Sequence, residues 1–143
     1  MSLTSRVLKI HEELYERTDG LIGHRMIGVP TLLLRTTGRR SGATRTNGLV
    51  YARDGDEYLV VASNGGADRH PGWLHNVRAN PEVEIQIGRR RQGATARVIE
   101  PSDQSYGRLW KIVNDNNHDR YSGYEQQTSR PIPVVALRPG TSA

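Results

Sequence analysis

The densest chemical signal lies in Thr36-Thr37-Gly38-Arg39-Arg40-Ser41-Gly42-Ala43-Thr44-Arg45-Thr46-Asn47. Two glycines permit a tight loop, and Arg39, Arg40 and Arg45 project from it with hydroxyls between them. Guanidinium forks beside loop N–H groups suit a phosphate or a run of carboxylates. The segment lacks the Gly-Lys-Ser/Thr of a Walker loop and the Gly-x-Gly-x-x-Gly of a dinucleotide turn. The plainer alternative is a solvated basic hairpin, which composition alone favours. A second signal is Val60-Val61-Ala62-Ser63-Asn64-Gly65-Gly66-Ala67-Asp68, an apolar run ending in Ser-Asn-Gly-Gly. Backbone at Ser63–Gly66 can approach a flat ligand without side-chain obstruction, so it reads as a floor under a ring. Trp73 follows and is equally explained as a core residue. The third signal is Tyr121-Ser122-Gly123-Tyr124, in which helical spacing would put two phenols on one face of a pocket. An ordinary turn with half-buried rings is its alternative.

Other chemistries find little support. His11, His24, His70, His75 and His118 show no metal-ligand spacing, so no metal is expected. The absence of cysteine removes thiolate sites and thiol nucleophiles, and no Gly-x-Ser-x-Gly elbow occurs. Charge is strongly basic, 20 Lys+Arg against 15 Asp+Glu for a net +5, which points to an anionic partner. Only Lys9 and Lys111 are lysines; the remaining bases are arginines, suited to bidentate recognition. A nucleic-acid module is the rival class. Against it, Trp73 and Trp110 stand apart from the arginine clusters and no recognition-helix motif is present.

The elements that must position these residues fit one domain spanning 1–143, a usual size for a single core. Thr4–Thr18 reads as an amphipathic helix through Leu3, Val7, Ile10 and Leu14, stopped at Gly20. Core packing is its main reading, with weak peripheral membrane contact as the minority one because Glu12, Glu13 and Glu16 repel anionic lipid. No apolar run is long enough for a membrane span, and no signal peptide opens the chain, so a cytoplasmic location is expected, with the inner membrane face as the alternative. Six strands are expected: Thr31–Arg35, Asn47–Ala52, Glu57–Ser63, the alternating run Glu82–Ile87, Ala94–Ile99 and Pro133–Leu137. Asp54-Gly55 marks a two-residue turn, and Gly88–Gly93 reads as a longer basic one. Two shorter helices are expected at Pro71–Ala79 and Ser102–Asn114. The result is an α+β chain that is mostly β, an antiparallel sheet closed into a small barrel.

These stretches, taken in order, resemble the deazaflavin-dependent nitroreductase and quinone reductase family, whose members use coenzyme F420. The specific pieces are Leu33-Leu34-Arg35-Thr36-Thr37-Gly38-Arg39-Arg40-Ser41-Gly42 with Arg45 and Asn47, then Ala62–Ala67, then Pro71-Gly72-Trp73-Leu74-His75-Asn76 with Ala79-Asn80-Pro81. The resemblance covers nearly the whole chain and implies a split β-barrel like that of FMN-binding oxidoreductases. It implies that Arg39, Arg40 and Arg45 hold the cofactor's phosphate and lead towards its glutamate tail, with Ser41 among the cofactor-binding residues. Asn47, Gly48 and Leu49, with Ala62, Ser63, Asn64 and Gly65, would line the deazaflavin, and Trp73 would pack beside it. Tyr121 and Tyr124 match family tyrosines that border the substrate, and with Ser63 they are the candidates for catalytic contact. Val50, Asn64 and His118 stand where the best-known members carry Tyr, Lys and Tyr. The implied activity is hydride transfer from reduced F420 to a quinone, enone or nitroaromatic acceptor, with FMN as the alternative cofactor. A carrier without turnover is a further alternative, and the oligomeric state is left open.

Overall fold

A computed structural model describes residues 30–140; the expected helix at Thr4–Thr18, with His11 and His24, lies outside them. In chain order the elements are β1 (Thr31–Thr37), β2 (Thr44–Val50), β3 (Ala52–Asp54), β4 (Glu57–Val61), a 3₁₀ turn (Asn64–Gly66), α1 (Gly72–Ala79), β5 (Glu82–Ile87), β6 (Arg90–Ile99), α2 (Tyr106–Asn116), α3 (Arg120–Glu125) and β7 (Val134–Pro139). The strands form one sheet in the order β2-β1-β5-β6-β7-β4-β3, antiparallel at every pairing. Its two edges, β2 and β3, are separated in the chain by Tyr51 alone, whose N–H donates to the Pro30 carbonyl at 3.1 Å. One continuous stretch therefore serves both edges and forces the sheet to curl. That is the split β-barrel.

Period-two alternation sorts the strands into two cores. Leu32, Leu34, Val60, Ile85, Val135 and Leu137 face inward, where α1 adds Trp73, Leu74 and Val77. Leu59, Val61, Val134 and Ala136 face outward and are covered by Tyr106, Leu109 and Val113 of α2 and by Tyr121 of α3. The Tyr106 hydroxyl donates to the Ile132 carbonyl at 2.7 Å, so its buried phenol is satisfied and is pushed well above the usual range by burial.

The structure departs from the sequence expectation at four places. Seven strands form among the described residues, because the stretch after Tyr51 resumes pairing as β3 with β4. The Asp54↔Glu57 pair places the turn at Gly55-Asp56, one residue later than Asp54-Gly55, with Gly55 at φ 58°. The basic segment is a two-residue turn at Gly88-Arg89: Ile87 pairs with Arg90, so Arg90 and Arg91 already belong to β6. Glycine at the first central position is what such a tight hairpin demands. The expected helix at Ser102 begins at Tyr106, after a turn in which Asp103 accepts from the Ser105 N–H (2.9 Å) and hydroxyl (2.7 Å).

Candidate functional site

The loop joining β1 to β2 is folded by its own small residues. Gly38 N–H donates to the Ala43 carbonyl (2.7 Å), Gly42 N–H to the Gly38 carbonyl (2.8 Å), and Ser41 Oγ accepts from the Ala43 N–H (3.1 Å). A Cβ on Gly38 would sit 2.7 Å from Ser41 Oγ and 3.1 Å from the Ala43 oxygen, and Gly42 has φ +71°. A side chain at Gly38 would crowd Ser41 and Ala43, and one at Gly42 would meet open space but strain the backbone. Ser41 is thus a loop-shaping residue, and Arg39 and Arg40 are left exposed on the outside of the turn.

Asn76 ties this loop to α1. It is 7 % exposed, its Oδ1 accepts from the Arg39 N–H (3.0 Å), and its Nδ2 donates to Thr36 Oγ1 (3.0 Å). Between the loop, the start of β2 and α1 opens a cleft of about 580 Å³, walled by Arg39, Arg40, Arg45, Asn47, Trp73 and His75. No acidic residue lines it among the described residues, and none of its three guanidinium groups is ion-paired to another described residue. His75 is held below its usual pKa, by burial first and then by Arg39, Arg78 and Arg40. The arginines' share of that shift, smaller than the share from burial, reflects a positive field that also attracts anions. The donor set fits a ligand carrying phosphate and carboxylate groups, as F420 does, with the Trp73 ring as an apolar wall. Trp73 is buried in the inner core, as one of its two readings expects, and it also lines the cleft.

The remaining expected residues lie elsewhere. Gly48 and Leu49 continue along β2, half-buried. Ala62 and Ser63 are buried, and the chain then turns through Asn64 (φ 47°), Gly65 (φ 64°) and Gly66 (φ 83°). Asn64 Nδ2 donates to the Arg69 carbonyl at 3.0 Å, stabilising a conformation rare outside glycine. The close approach is at Gly66, where a Cβ would meet Gln127 Oε1 at 2.8 Å and Tyr124 Cα at 3.3 Å; a Cβ on Gly65 meets nothing within 4 Å. Segment α3 therefore rests on the Ser63–Gly66 turn, bringing the tyrosines and that turn together. Tyr121 is 6 % exposed and packs against Trp110 (6.4 Å between centroids) and edge-on to Tyr124 (6.3 Å). Burial pushes its phenol well above the usual range, against a side-chain hydrogen bond from Asn117. Tyr124 is half-buried. Neither tyrosine lines the arginine cleft.

Three residues of this neighbourhood escape a reading of the sequence: His75, Asn76 and Arg130. The signal for Asn76 is an amide on the apolar side of α1, beside Trp73 and Val77 in the buried set. Arg130 carries no such signal, being a base next to Pro131 in a polar stretch.

The histidines predict an acid-sensitive fold. His70 and His75 both lie below the ordinary value of 6.5, burial being the largest cause for each. The unfolded chain takes up these protons first, so the stability is complete above about pH 6.5 and declines as pH falls below it. Melting temperature should be level above neutrality and fall from about pH 6.5 downward; a level profile to pH 5 would contradict this. The carboxyls of Asp54, held down by Arg108, and Asp103, held down by Ser105, lose their contribution only in a more acidic window, as pH falls through their depressed values.

The profile of the F420H(2)-dependent quinone reductase family matches residues 7–139. The F420H(2)-dependent quinone reductase of Mycobacterium tuberculosis H37Rv is 55 % identical over 133 residues, 92 % of this chain and 89 % of that protein. A solved F420-H2 dependent reductase superposes with a TM-score of 0.67 at 35 % identity, covering 76 % of this chain and 94 % of its own. A structure described as a domain-swapped dimer gives 0.70 at 34 % identity over 96 % and 100 %. The family profile spans the arginine loop, Trp73 and both tyrosines alike, and the chain belongs to the F420H(2)-dependent quinone reductase family.

Proposed function

We propose that the protein reduces quinones with F420H2, holding the cofactor's anionic arm in the arginine cleft. The observation that carries this is the cleft itself: three guanidinium groups without ion-pair partners among the described residues, no lining acid, and a tryptophan wall. Arg39, Arg40 and Arg45 would bind phosphate and carboxylates, Asn76 fixes the backbone that presents Arg39, and Trp73 supplies an apolar surface. Bound there, F420H2 supplies a hydride, and quinone reduction to the hydroquinone takes up one proton besides. The protein's task is then orientation and exclusion of water, which explains a site without a catalytic triad.

The Ser63–Gly66 turn would lie against the ring and α3 would close the acceptor side, with enones and nitroaromatics as further acceptors. Tyr124, half-buried with its Cα over Gly66 and its ring edge-on to Tyr121, would donate its hydroxyl to a developing oxyanion, with Tyr121 packed against it. Tyr124→Phe should lower kcat for menadione by up to about 10²-fold while leaving the F420 affinity unchanged. Tyr121→Phe keeps the ring packing and should cost less. Normal quinone reduction by both folded variants would remove the tyrosines from the reaction. The function itself is tested by mixing the protein with F420H2 and menadione. Oxidation of F420H2 that requires both protein and quinone is expected, and no turnover would contradict it.

A further inference from the structure

Arg130 lies outside the arginine cleft and is surrounded by acceptors. Its Nε donates to the Ala67 carbonyl (2.8 Å), one terminal nitrogen to the Ser63 carbonyl (2.7 Å), and the other to the carbonyls of Ala62 (3.2 Å) and Pro131 (3.2 Å). That last nitrogen also lies 3.1 Å from His70 Nδ1. Guanidinium has no acceptor, so Nδ1 accepts and the His70 proton sits on Nε2. No described carboxylate forms an ion pair with Arg130; the nearby Asp68 instead accepts from Thr128 Oγ1 at 2.8 Å. This half-buried cation has exchanged part of its hydration for backbone oxygens, which ties it to the segments that carry them.

The acceptors it gathers, four carbonyls and the His70 ring nitrogen, belong to three pieces of the site. Ala62, Ser63 and Ala67 flank the turn on which α3 rests. His70 precedes α1, which carries Trp73, His75 and Asn76, and its ring meets that of His75 edge-on at 5.9 Å. Pro131 and Arg130 itself end the segment that descends from Tyr124, through Gln127 against Gly66 and Thr128 on Asp68. We propose that Arg130 is a positioning residue for quinone reduction: its fork holds the Ser63–Gly66 turn, the approach to α1 and the Tyr124 segment in one relative placement. This rests on the proposed position of the ring beside that turn. The arginine cleft is built by different contacts, those of Gly38, Ser41 and Asn76, so loss of the fork should disturb turnover and not cofactor capture. Lysine cannot substitute. It keeps the charge, but its donors radiate from one nitrogen and cannot reach carbonyls spread around a planar fork.

The test compares wild type, Arg130→Lys and His70→Phe, each assayed well below its own melting temperature. Phenylalanine keeps a ring against His75 and removes the side-chain acceptor, leaving the carbonyl contacts. F420 dissociation constants are read by titration, and kcat and KM with menadione and F420H2. The expected result is a fall in kcat of at least tenfold for Arg130→Lys and about threefold for His70→Phe, with F420 affinity within threefold of wild type in both. Methylguanidinium should restore part of the kcat to Arg130→Ala and none to a Tyr124→Phe control. Wild-type kcat in folded Arg130→Lys would overturn the inference, as would equal losses of affinity and kcat. If Arg130→Lys does not fold, His70→Phe decides: reduced kcat at unchanged affinity supports the role and unchanged kcat refutes it. A wild-type protein that neither binds F420 nor reduces menadione would overturn the functional reading and this inference with it. Full wild-type activity alongside unaffected variants would overturn the inference alone.

Discussion

Replacing Arg39 and Arg45 together by alanine should weaken F420 binding about thirtyfold. A charge-assisted contact is worth about 1.5–3 kcal/mol when desolvated. Both side chains are exposed, so about 1 kcal/mol each is the fitting magnitude, and about 2 kcal/mol is near thirtyfold. The loss should shrink as salt is raised, since exposed charges are screened. Arg89→Ala is the control. It removes the same charge from the tip of the β5–β6 hairpin, away from the cleft, and should alter affinity less than twofold. Equal effects at both places would reduce the arginine loop to a general field, and unchanged affinity in the double variant would move the anion site elsewhere.

Asn76→Leu is the second large effect, and it acts through the fold. The substitution preserves size and removes both amide groups, leaving the Arg39 N–H without its acceptor and Thr36 Oγ1, in a residue only 2 % exposed, without its donor. An orphaned buried group costs about 1–3 kcal/mol, the larger share falling on the buried Thr36 hydroxyl and the smaller on the part-buried Arg39 N–H, so the variant should lose about 3 kcal/mol. For a chain of this size that lowers the melting temperature by about 10 °C. The loop should also loosen from α1, so that F420 affinity falls even at temperatures where the protein is fully folded. A variant as stable as wild type would show that the loop holds itself; a destabilised one with normal affinity would show that Asn76 serves the fold alone.

What could be read from the chain, and what could not, follows from how far each residue's partner lies. Strand β5 is legible because Val83, Ile85 and Ile87 alternate with Glu82, Glu84 and Gln86, a local pattern that the sheet then uses. Segment β3 is three residues, Ala52-Arg53-Asp54, too short to show a period and defined by pairing with β4. Arg90 and Arg91 look like a solvated turn by composition, yet the register set at Ile87↔Arg90 draws them into β6. Helix α3 contains Ser122 and Gly123, weak helix formers, and is held by packing of Tyr121 under α2 and of Tyr124 on Gly66. The arginine loop stands out in the sequence because its glycines and bases are contiguous. The long-range contacts do not stand out: Asn76 holds that loop through Thr36 forty positions away, and Arg130 holds the separate Ser63–Gly66 turn by meeting Ala62 and Ser63 across more than sixty. Gly65 and Gly66 look equivalent in sequence, and the distant neighbours Gln127 and Tyr124 distinguish the crowded one.

The account stands most directly on what the cleft binds. A parallel equilibrium titration of the purified protein with F420, FMN, FAD and a short DNA duplex measures it. F420 should bind at least tenfold more tightly than FMN or FAD, and the duplex should bind weakly and lose its affinity steeply with salt. FMN binding as tightly as F420, or a duplex that outcompetes F420 at physiological salt, would contradict the assignment of the arginine cleft to the deazaflavin cofactor.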